Sequence, residues 1–203
     1  MAEQIRTWDG QSWWLDPGAL FLDFVYTGDF GVGPWREGMI HTAGELDAWV
    51  AEHVAPDLDP ALPAELEQAL ALRECLTRLV KATAEVDERA DDGDASFVSQ
   101  VASRPDIPPA LPGHESEGSL TTGQALSTIA RDAVVHLRDH PDRLRNCHGP
   151  DCPLIFLDLS RAGKRTWCSM ARCGNRAKAR AFRSRTSRPK TADKKSTTEG
   201  AME

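Results

Sequence analysis

Four cysteines in two close pairs constrain this chain more than any other feature of its 203 residues. They are Cys147, Cys152, Cys168 and Cys173, with four residues inside each pair and fifteen between the pairs. Zn²⁺ prefers four tetrahedral thiolate or imidazole ligands, and two close pairs joined by a short insert can surround one ion. The spacing therefore predicts one Zn²⁺ per chain, held by these four thiolates.

Other uses of the cysteines stay open at this point. His148, inside the first pair, could replace one thiolate, and iron could replace zinc. Two disulfides would require an oxidising compartment, but the N-terminus shows no secretory signal, and no stretch reaches the roughly 20 apolar residues that span a bilayer. We therefore expect a cytoplasmic protein with reduced thiols.

A metal site with four thiolates is closed, so it offers no coordination position to a substrate and should stabilise the fold. The sequence contains no Gly-rich phosphate loop and no catalytic-triad pattern. A catalytic thiolate near Arg165 or Arg172 is disfavoured, because the four cysteines of this region form two close pairs in the sequence, which favours metal binding. We expect no enzymatic activity. The isolated Cys75 is expected to be a small core residue.

The residues between and after the cysteine pairs predict how this region folds. Residues 154–159 are strand-like, residues 160–163 are turn-like, and residues 164–167 mix polar and apolar character. We therefore predict a hairpin between the two pairs. Ser169 could then cap a helix that begins directly after Cys168. We call the loop from Cys147 to Cys152 the knuckle. The order of knuckle, hairpin and helix is typical of a treble-clef zinc finger.

The helix predicted after the last cysteine is strongly basic. Arg176, Arg180 and Arg183 recur at i, i+4 and i+7, which predicts one cationic row. Lys178 and Arg185 are seven residues apart, and we predict that they form a second, adjoining row. Such a surface suits nucleic-acid phosphates, with DNA favoured and RNA left open. The candidate nucleic-acid contacts are Lys164, Arg165, Asn175, Arg176, Lys178, Arg180, Arg183 and Arg185.

The charge distribution agrees with a polyanionic partner for the C-terminal part. Residues 1–137 contain 24 acidic and 8 basic residues, a net charge of −16, whereas residues 138–203 contain 16 basic and 7 acidic residues, a net charge of +9. The chain as a whole has a charge of −7. Because binding depends on the charge of the contacting face, the acidic total does not exclude nucleic acid. An acidic protein partner of the basic helix is the alternative.

Upstream of the cysteines, turn and periodicity patterns predict a mostly helical domain. Asp9-Gly10 between aromatic runs predicts a β-hairpin. Residues 20–26 form an apolar run that belongs to the core as either a strand or a helical turn. Helices are predicted from about residue 43, over residues 69–83, and from residue 122 to about residue 140.

Two polar stretches are predicted to lack helices. Residues 91–119 indicate a long surface connection with at most one short strand. Residues 187–203 contain no aromatic residue and are predicted to be disordered. Five tryptophans of the N-terminal part are expected in the core more than around a small-molecule pocket. They are Trp8, Trp13, Trp14, Trp35 and Trp49.

Together these patterns predict a mainly α (α+β) fold in three parts. Residues 1–140 form a helical domain with a few strands, residues 141–186 form the four-cysteine zinc finger with its basic helix, and residues 187–203 form the tail. The N-terminal domain would sense a small molecule, bind a protein or form a homodimer.

The segment from Trp167 to Lys178 closely resembles the CGNR zinc-finger family. Its central residues are Cys173, Gly174, Asn175 and Arg176. Proteins of that family join this finger to an N-terminal ABATE-type domain, and residues 20–27 look like the opening motif of that domain. One departure is Tyr26, which stands where the resemblance leads us to expect an asparagine.

The resemblance implies four cysteine ligands and a role in stress-induced transcription regulation. It does not assign the roles of Asn175 and Arg176. Both residues could contact nucleic acid, or they could brace the finger, with Arg176 pairing with Asp158.

Overall fold

The computed structural model describes residues 3–6, 12–30, 39–85, 90–111, 118–149 and 152–186, and every structural statement below concerns these residues. The predicted mainly α (α+β) fold is confirmed. The elements are β1 (Glu3–Arg6), β2 (Ser12–Leu15), α1 (Leu20–Val25), α2 (Ala43–His53), α3 (Pro63–Thr83), α4 (Asp92–Ala102), α5 (Thr122–Asp139), β3 (Leu144–Asn146), β4 (Ile155–Leu157) and α6 (Asn175–Thr186). None of the described helices is long and apolar enough to cross a membrane.

The N-terminal hairpin predicted from Asp9-Gly10 is confirmed. Strands β1 and β2 pair antiparallel, with Glu3 opposite Leu15 and Arg6 opposite Ser12. The turn itself lies outside the described residues, as does the tail from residue 187.

The apolar run after the hairpin folds as a short helix, α1, which is buried on nearly all sides. Phe21, Leu22, Phe24 and Val25 are each at most 1% exposed. A helix without a polar face shows no amphipathic period, which is why periodicity could not distinguish it from a strand. Its N-terminus is capped from a distance, because Asp132 Oδ2 on α5 accepts a 2.9 Å hydrogen bond from the Phe21 amide.

Helices α2, α3 and α5 occur where capping and periodicity predicted them. Thr42 and Glu45 form a reciprocal capping box at α2, and Thr121 and Gln124 form another at α5. Helix α5 ends at Asp139, two residues before Pro141. The buried stripes of α3 and α5 belong to one core; they comprise Ala69, Leu72, Leu76 and Val80 on α3 and Leu126, Ile129, Ala130 and Ala133 on α5.

The prediction of a helix-free connection over residues 91–119 is wrong, because α4 lies within it. Asp91 caps this helix by accepting a 2.8 Å hydrogen bond from the Asp94 amide. Val98 and Val101 are its buried apolar residues. Asp94 is also buried and forms a 2.5 Å ion pair with Arg78 of α3. Because two valines and one paired carboxylate are the buried residues of this helix, its sequence shows no clear apolar stripe and does not predict a helix.

The C-terminal region shares its core with the helical part. All three residues of β4 are buried, and the Leu157 amide donates a 2.7 Å hydrogen bond to the carbonyl of Pro17. The Tyr26 hydroxyl donates to the Ile155 carbonyl at 2.5 Å and accepts from the Ile155 amide at 2.9 Å. Tyr26 therefore satisfies both backbone groups of one β4 residue.

Replacing Tyr26 with Phe should destabilise the whole chain. The two backbone groups of Ile155 would stay buried without their partner, which should lower the free energy of unfolding by about 2–3 kcal/mol. Denaturant unfolding of the zinc-loaded protein measures this loss. Leu111→Ala, at a position that is 74% exposed, is the control and should change stability by less than about 0.5 kcal/mol. Equal stability of the two variants would contradict the role given to the hydroxyl.

Candidate metal centre and basic helix

The sulfur atoms of Cys147, Cys152, Cys168 and Cys173 all lie within 4.8 Å of one another. Two of the separations, from the Cys168 Sγ to those of Cys152 and Cys173, are 3.7 Å. Zinc–thiolate bonds of about 2.3 Å in a tetrahedron place sulfurs about 3.8 Å apart. The donor set and its size therefore fit one Zn²⁺, and the predicted cofactor agrees with this site.

Regular structure on both sides positions the four thiols. Cys147 follows β3 directly, and the ladder continues through it, because its amide donates to the Leu154 carbonyl at 2.9 Å. Cys173 lies in a π-helical turn, Met170–Gly174, that runs into α6. The amides of Cys173 and Gly174 both donate to the Ser169 carbonyl, at 3.0 and 3.1 Å. A helical segment thus begins after Ser169, one residue later than predicted, and the predicted cap is not observed, because the serine side chain makes no capping bond.

The prediction of a hairpin between the two cysteine pairs is wrong, because the strand after Cys152 does not pair with residues 164–167. Strand β4 pairs antiparallel with β3, which precedes Cys147, so the hairpin encloses the first pair. The sequence from residue 164 to residue 167 is not a strand; its link to the knuckle is one 3.1 Å bond from the His148 amide to the Thr166 carbonyl. Strand β3 was not predicted, because it is short and ends in the polar residue Asn146. The Asn146 Nδ2 donates to the Ala84 carbonyl at 2.6 Å.

Electrostatics at the cluster favour a bound cation. The amides of Gly149 and Cys168 each lie 3.3 Å from the Cys147 sulfur. Hydrogen bonds from Cys152 and Cys168 lower the pKa of Cys147, whereas burial raises the pKa of Cys173. The hydrogen bond with Cys147 also raises the pKa of Cys168. A divalent cation supplies the positive charge that four neighbouring thiolates require.

The disulfide and histidine-ligand alternatives find no support in this geometry. None of the five cysteines forms a disulfide. The ring of His148 is outside the sulfur cluster and stands edge-on to Trp167, with 6.4 Å between centroids. Cys75 is half-buried on α3, where its sulfur accepts a 3.4 Å hydrogen bond from Arg78. Among the described residues, the four predicted ligands form the candidate metal site.

Helix α6 extends from the metal site, and most of its described side chains are exposed. Every residue from 178 to 185 is exposed, as are Asn175 and Arg176, while Ala177 is half-buried. At about 100° per residue, Arg176, Arg180 and Arg183 lie on one flank, and Lys178 and Arg185 lie on the opposite flank. The prediction that the two rows adjoin is therefore wrong: they are separated by roughly half a turn of the helix.

Comparison with protein-family models covers both parts of the chain. Residues 18–140 match the ABATE model, whose description is "Putative stress-induced transcription regulator". The chain belongs to the ABATE family. Residues 143–186 match the model of the CGNR zinc finger. No curated protein matches the chain.

Each residue of the CGNR motif in this ABATE-family chain has a distinct environment. Cys173 belongs to the sulfur cluster, and Gly174 lies under Met170 and Trp167, so that a Cβ would come within 2.5 Å of the Met170 sulfur. The Asn175 Nδ2 donates to the Ala171 carbonyl at 3.2 Å, which braces the π-helical turn. Arg176 is exposed.

The proposed pairing of Arg176 with Asp158 is not observed. The Asp158 carboxylate accepts from the Arg165 amide at 2.8 Å and lies 3.9 Å from Arg145 Nε, its ion-pair partner among the described residues. Of the two roles considered for Arg176, the exposed position fits a contact residue.

The predicted nucleic-acid contacts Lys164 and Arg165 have different environments. Lys164 is exposed. The Arg165 guanidinium lies over the Phe156 ring, 4.4 Å from its centroid, and donates to the carbonyls of Asp16, Trp167 and Cys168. Its side chain therefore ties the segment before α1 to the second cysteine pair. Sequence reasoning missed this role because the bonds end on backbone carbonyls, which leave no trace in the sequence.

Among the tryptophans, Trp49 is a core residue. It is 7% exposed, stacks on His53 with 4.4 Å between centroids and contacts Phe24 at 5.3 Å. Trp8 and Trp35, and the side chains of Trp13 and Trp14, lie outside the described part of the chain.

Gly149→Ala should weaken zinc binding. A Cβ at this position would lie 2.8 Å from the Cys173 sulfur and 3.2 Å from the Cys152 Cβ, so the cluster would have to open. We expect the zinc affinity to fall by about tenfold or more, as it does when the surroundings of a metal site are disturbed. Competition with a chromophoric chelator measures the affinity. The matched control is Gly44→Ala, where a Cβ meets nothing within 4 Å; equal affinities of the two variants would contradict the packing described.

Proposed function

We propose that this ABATE-family protein is a cytoplasmic, DNA-binding transcription regulator and that α6 is its DNA-contacting element. The observation that carries the proposal is the exposed helix itself. It begins at the metal site and presents five cations on two opposite flanks. Because the base of the helix is held by Cys173, its direction is fixed before any partner binds, which lowers the entropic cost of binding.

The two cationic flanks match the two walls of a DNA groove. An α-helix with its side chains is about 10–12 Å wide, close to the roughly 12 Å width of the major groove of B-DNA. In that position Arg176, Arg180 and Arg183 reach the phosphates of one strand, and Lys178 and Arg185 reach those of the other. Arginine can also bond bidentately to guanine.

The strip between the flanks faces the base edges in this arrangement. Ala179 and Phe182 lie on the side of α6 opposite the half-buried Ala177, and Phe182 is 63% exposed. Small and apolar side chains at this position allow close approach and can contact thymine methyl groups. Phosphate contacts would then supply most of the affinity, and this strip would supply part of the specificity.

The same geometry favours DNA over the alternatives. The major groove of A-form RNA is deep and narrow, so side chains on a helix do not reach its bases. A helix that docks on an acidic protein would bury one face, whereas here the cations lie on two opposite flanks. RNA binding and a zinc-stabilised protein-interaction module are therefore the second-ranked functions.

We also propose that the metal is structural and that the protein catalyses no reaction. Cys147, Cys152, Cys168 and Cys173 would hold the ion, and four thiolates leave no coordination position for a substrate. The chemistry that the zinc supplies is the neutralisation of the thiolate charge at the base of α6.

Changing Arg176, Lys178, Arg180 and Arg183 together to Ala tests the proposal. Each lost phosphate contact should reduce the slope of log affinity against log salt by about 0.9, so the loss of four contacts should reduce the slope of the quadruple variant by roughly three and a half units. Fluorescence anisotropy with a mixed-sequence DNA duplex, between about 50 and 200 mM salt, gives the slope of the zinc-loaded protein.

Arg104→Ala with Arg138→Ala is the control, because both positions are exposed and lie on the helical part. This double variant should keep the slope of the unmodified protein. An unchanged slope in the quadruple variant would contradict DNA binding by α6. Tighter binding to duplex RNA, or to polyglutamate, at the same salt would favour the second-ranked functions.

A further inference from the structure

A second cationic feature of the finger lies in a cavity that neither the metal site nor α6 uses. The cavity has a volume of about 310 Å³ and opens between the end of α5, the 3₁₀ turn Pro141–Arg143 and the turn that follows β4. His140, Arg143 and Arg161 are the basic residues that line it, and the exposed Leu159 contributes apolar surface.

The acidic side chain that lines this cavity is not accessible to a ligand. Asp158 is fully buried at its side chain. One carboxylate oxygen accepts from the Ser160 amide at 2.9 Å and the other from the Arg165 amide at 2.8 Å. The nearby Asp139 is bonded to Arg138 at 2.7 Å. The charges that a ligand would meet inside the cavity are therefore basic.

Arg143 is held in place before any ligand binds. Its Nη1 donates to the carbonyls of Ser160 at 3.1 Å and Asp158 at 3.3 Å. The turn closes over this group through Gly163, which has a φ of +58° and where a Cβ would lie 2.7 Å from Nη1. These bonds use one nitrogen of the guanidinium, and the planar fork has further N–H donors for a ligand.

We propose that this cavity binds the phosphate of a small phosphomonoester. Two guanidinium groups and an imidazole around one concave surface suit a phosphate dianion, because Arg binds phosphate oxygens bidentately and His adds a further donor. The exposed side chain of Leu159 would contact the organic part of the ligand. A volume of about 310 Å³ lies at the small end of the roughly 300–1,000 Å³ range of small-molecule sites. The site is independent of DNA binding by α6.

The probe is phenyl phosphate, titrated calorimetrically into the zinc-loaded full chain at constant ionic strength, with phenol as the uncharged match and inorganic phosphate as the minimal anion. Saturable 1:1 binding of both phosphates, without binding of phenol, is expected. Arg161→Glu should weaken binding by at least about tenfold, because it removes one charged donor and adds a repelling charge.

Arg180→Glu is the matched control, since it changes the net charge equally on α6. It should leave phenyl phosphate binding unchanged and weaken DNA binding. Arg161→Glu should weaken phenyl phosphate binding and leave DNA binding unchanged. Absence of saturable binding up to about 10 mM would overturn the proposal. Equal weakening by both substitutions would also overturn it, because the effect would then come from net charge. Loss of DNA affinity alone in Arg161→Glu would assign the cavity to a nucleic-acid phosphate instead.

Discussion

Four thiolates packed against one another require a cation, and the C-terminal third of this molecule is arranged around that requirement. Three of the four cysteines are buried, and a buried cluster can lose its thiol protons only when a divalent ion takes their place and offsets the charge of the thiolates. The flanking strands have three residues each, which is too short for a hairpin to be stable alone. The ion therefore supplies the cohesion that regular structure does not.

The metal site also connects the two matched parts of the chain. Strand β4 is buried in the common core, Tyr26 satisfies both backbone groups of Ile155, and Arg165 reaches from the second cysteine pair to the carbonyl of Asp16. The zinc finger is therefore a rigid extension of the helical part. Helix α6 takes its direction from both, so its exposed cations face solvent in a fixed orientation.

Local signals in the sequence predicted the elements that local interactions determine. The cysteine spacing identified the donor set, and the capping boxes at Thr42 and Thr121 located α2 and α5. The errors concern features that depend on distant partners. Helix α4 relies on the ion pair of Asp94 with Arg78, β4 pairs with a strand upstream of the knuckle, and the bonds of Arg165 end on backbone carbonyls. None of these partners alters the residue pattern around the site, and the cavity beside Arg143 is likewise formed by separate segments.

X-ray absorption at the zinc edge of the full-length protein tests most directly whether a four-thiolate ion organises the finger. The expected spectrum shows zinc with four sulfur neighbours at about 2.3 Å and with no nitrogen or oxygen bound to it. A shell that contains nitrogen or oxygen, or fewer than four sulfurs, would contradict it. In that case the base of α6 would not be held by a closed four-thiolate centre.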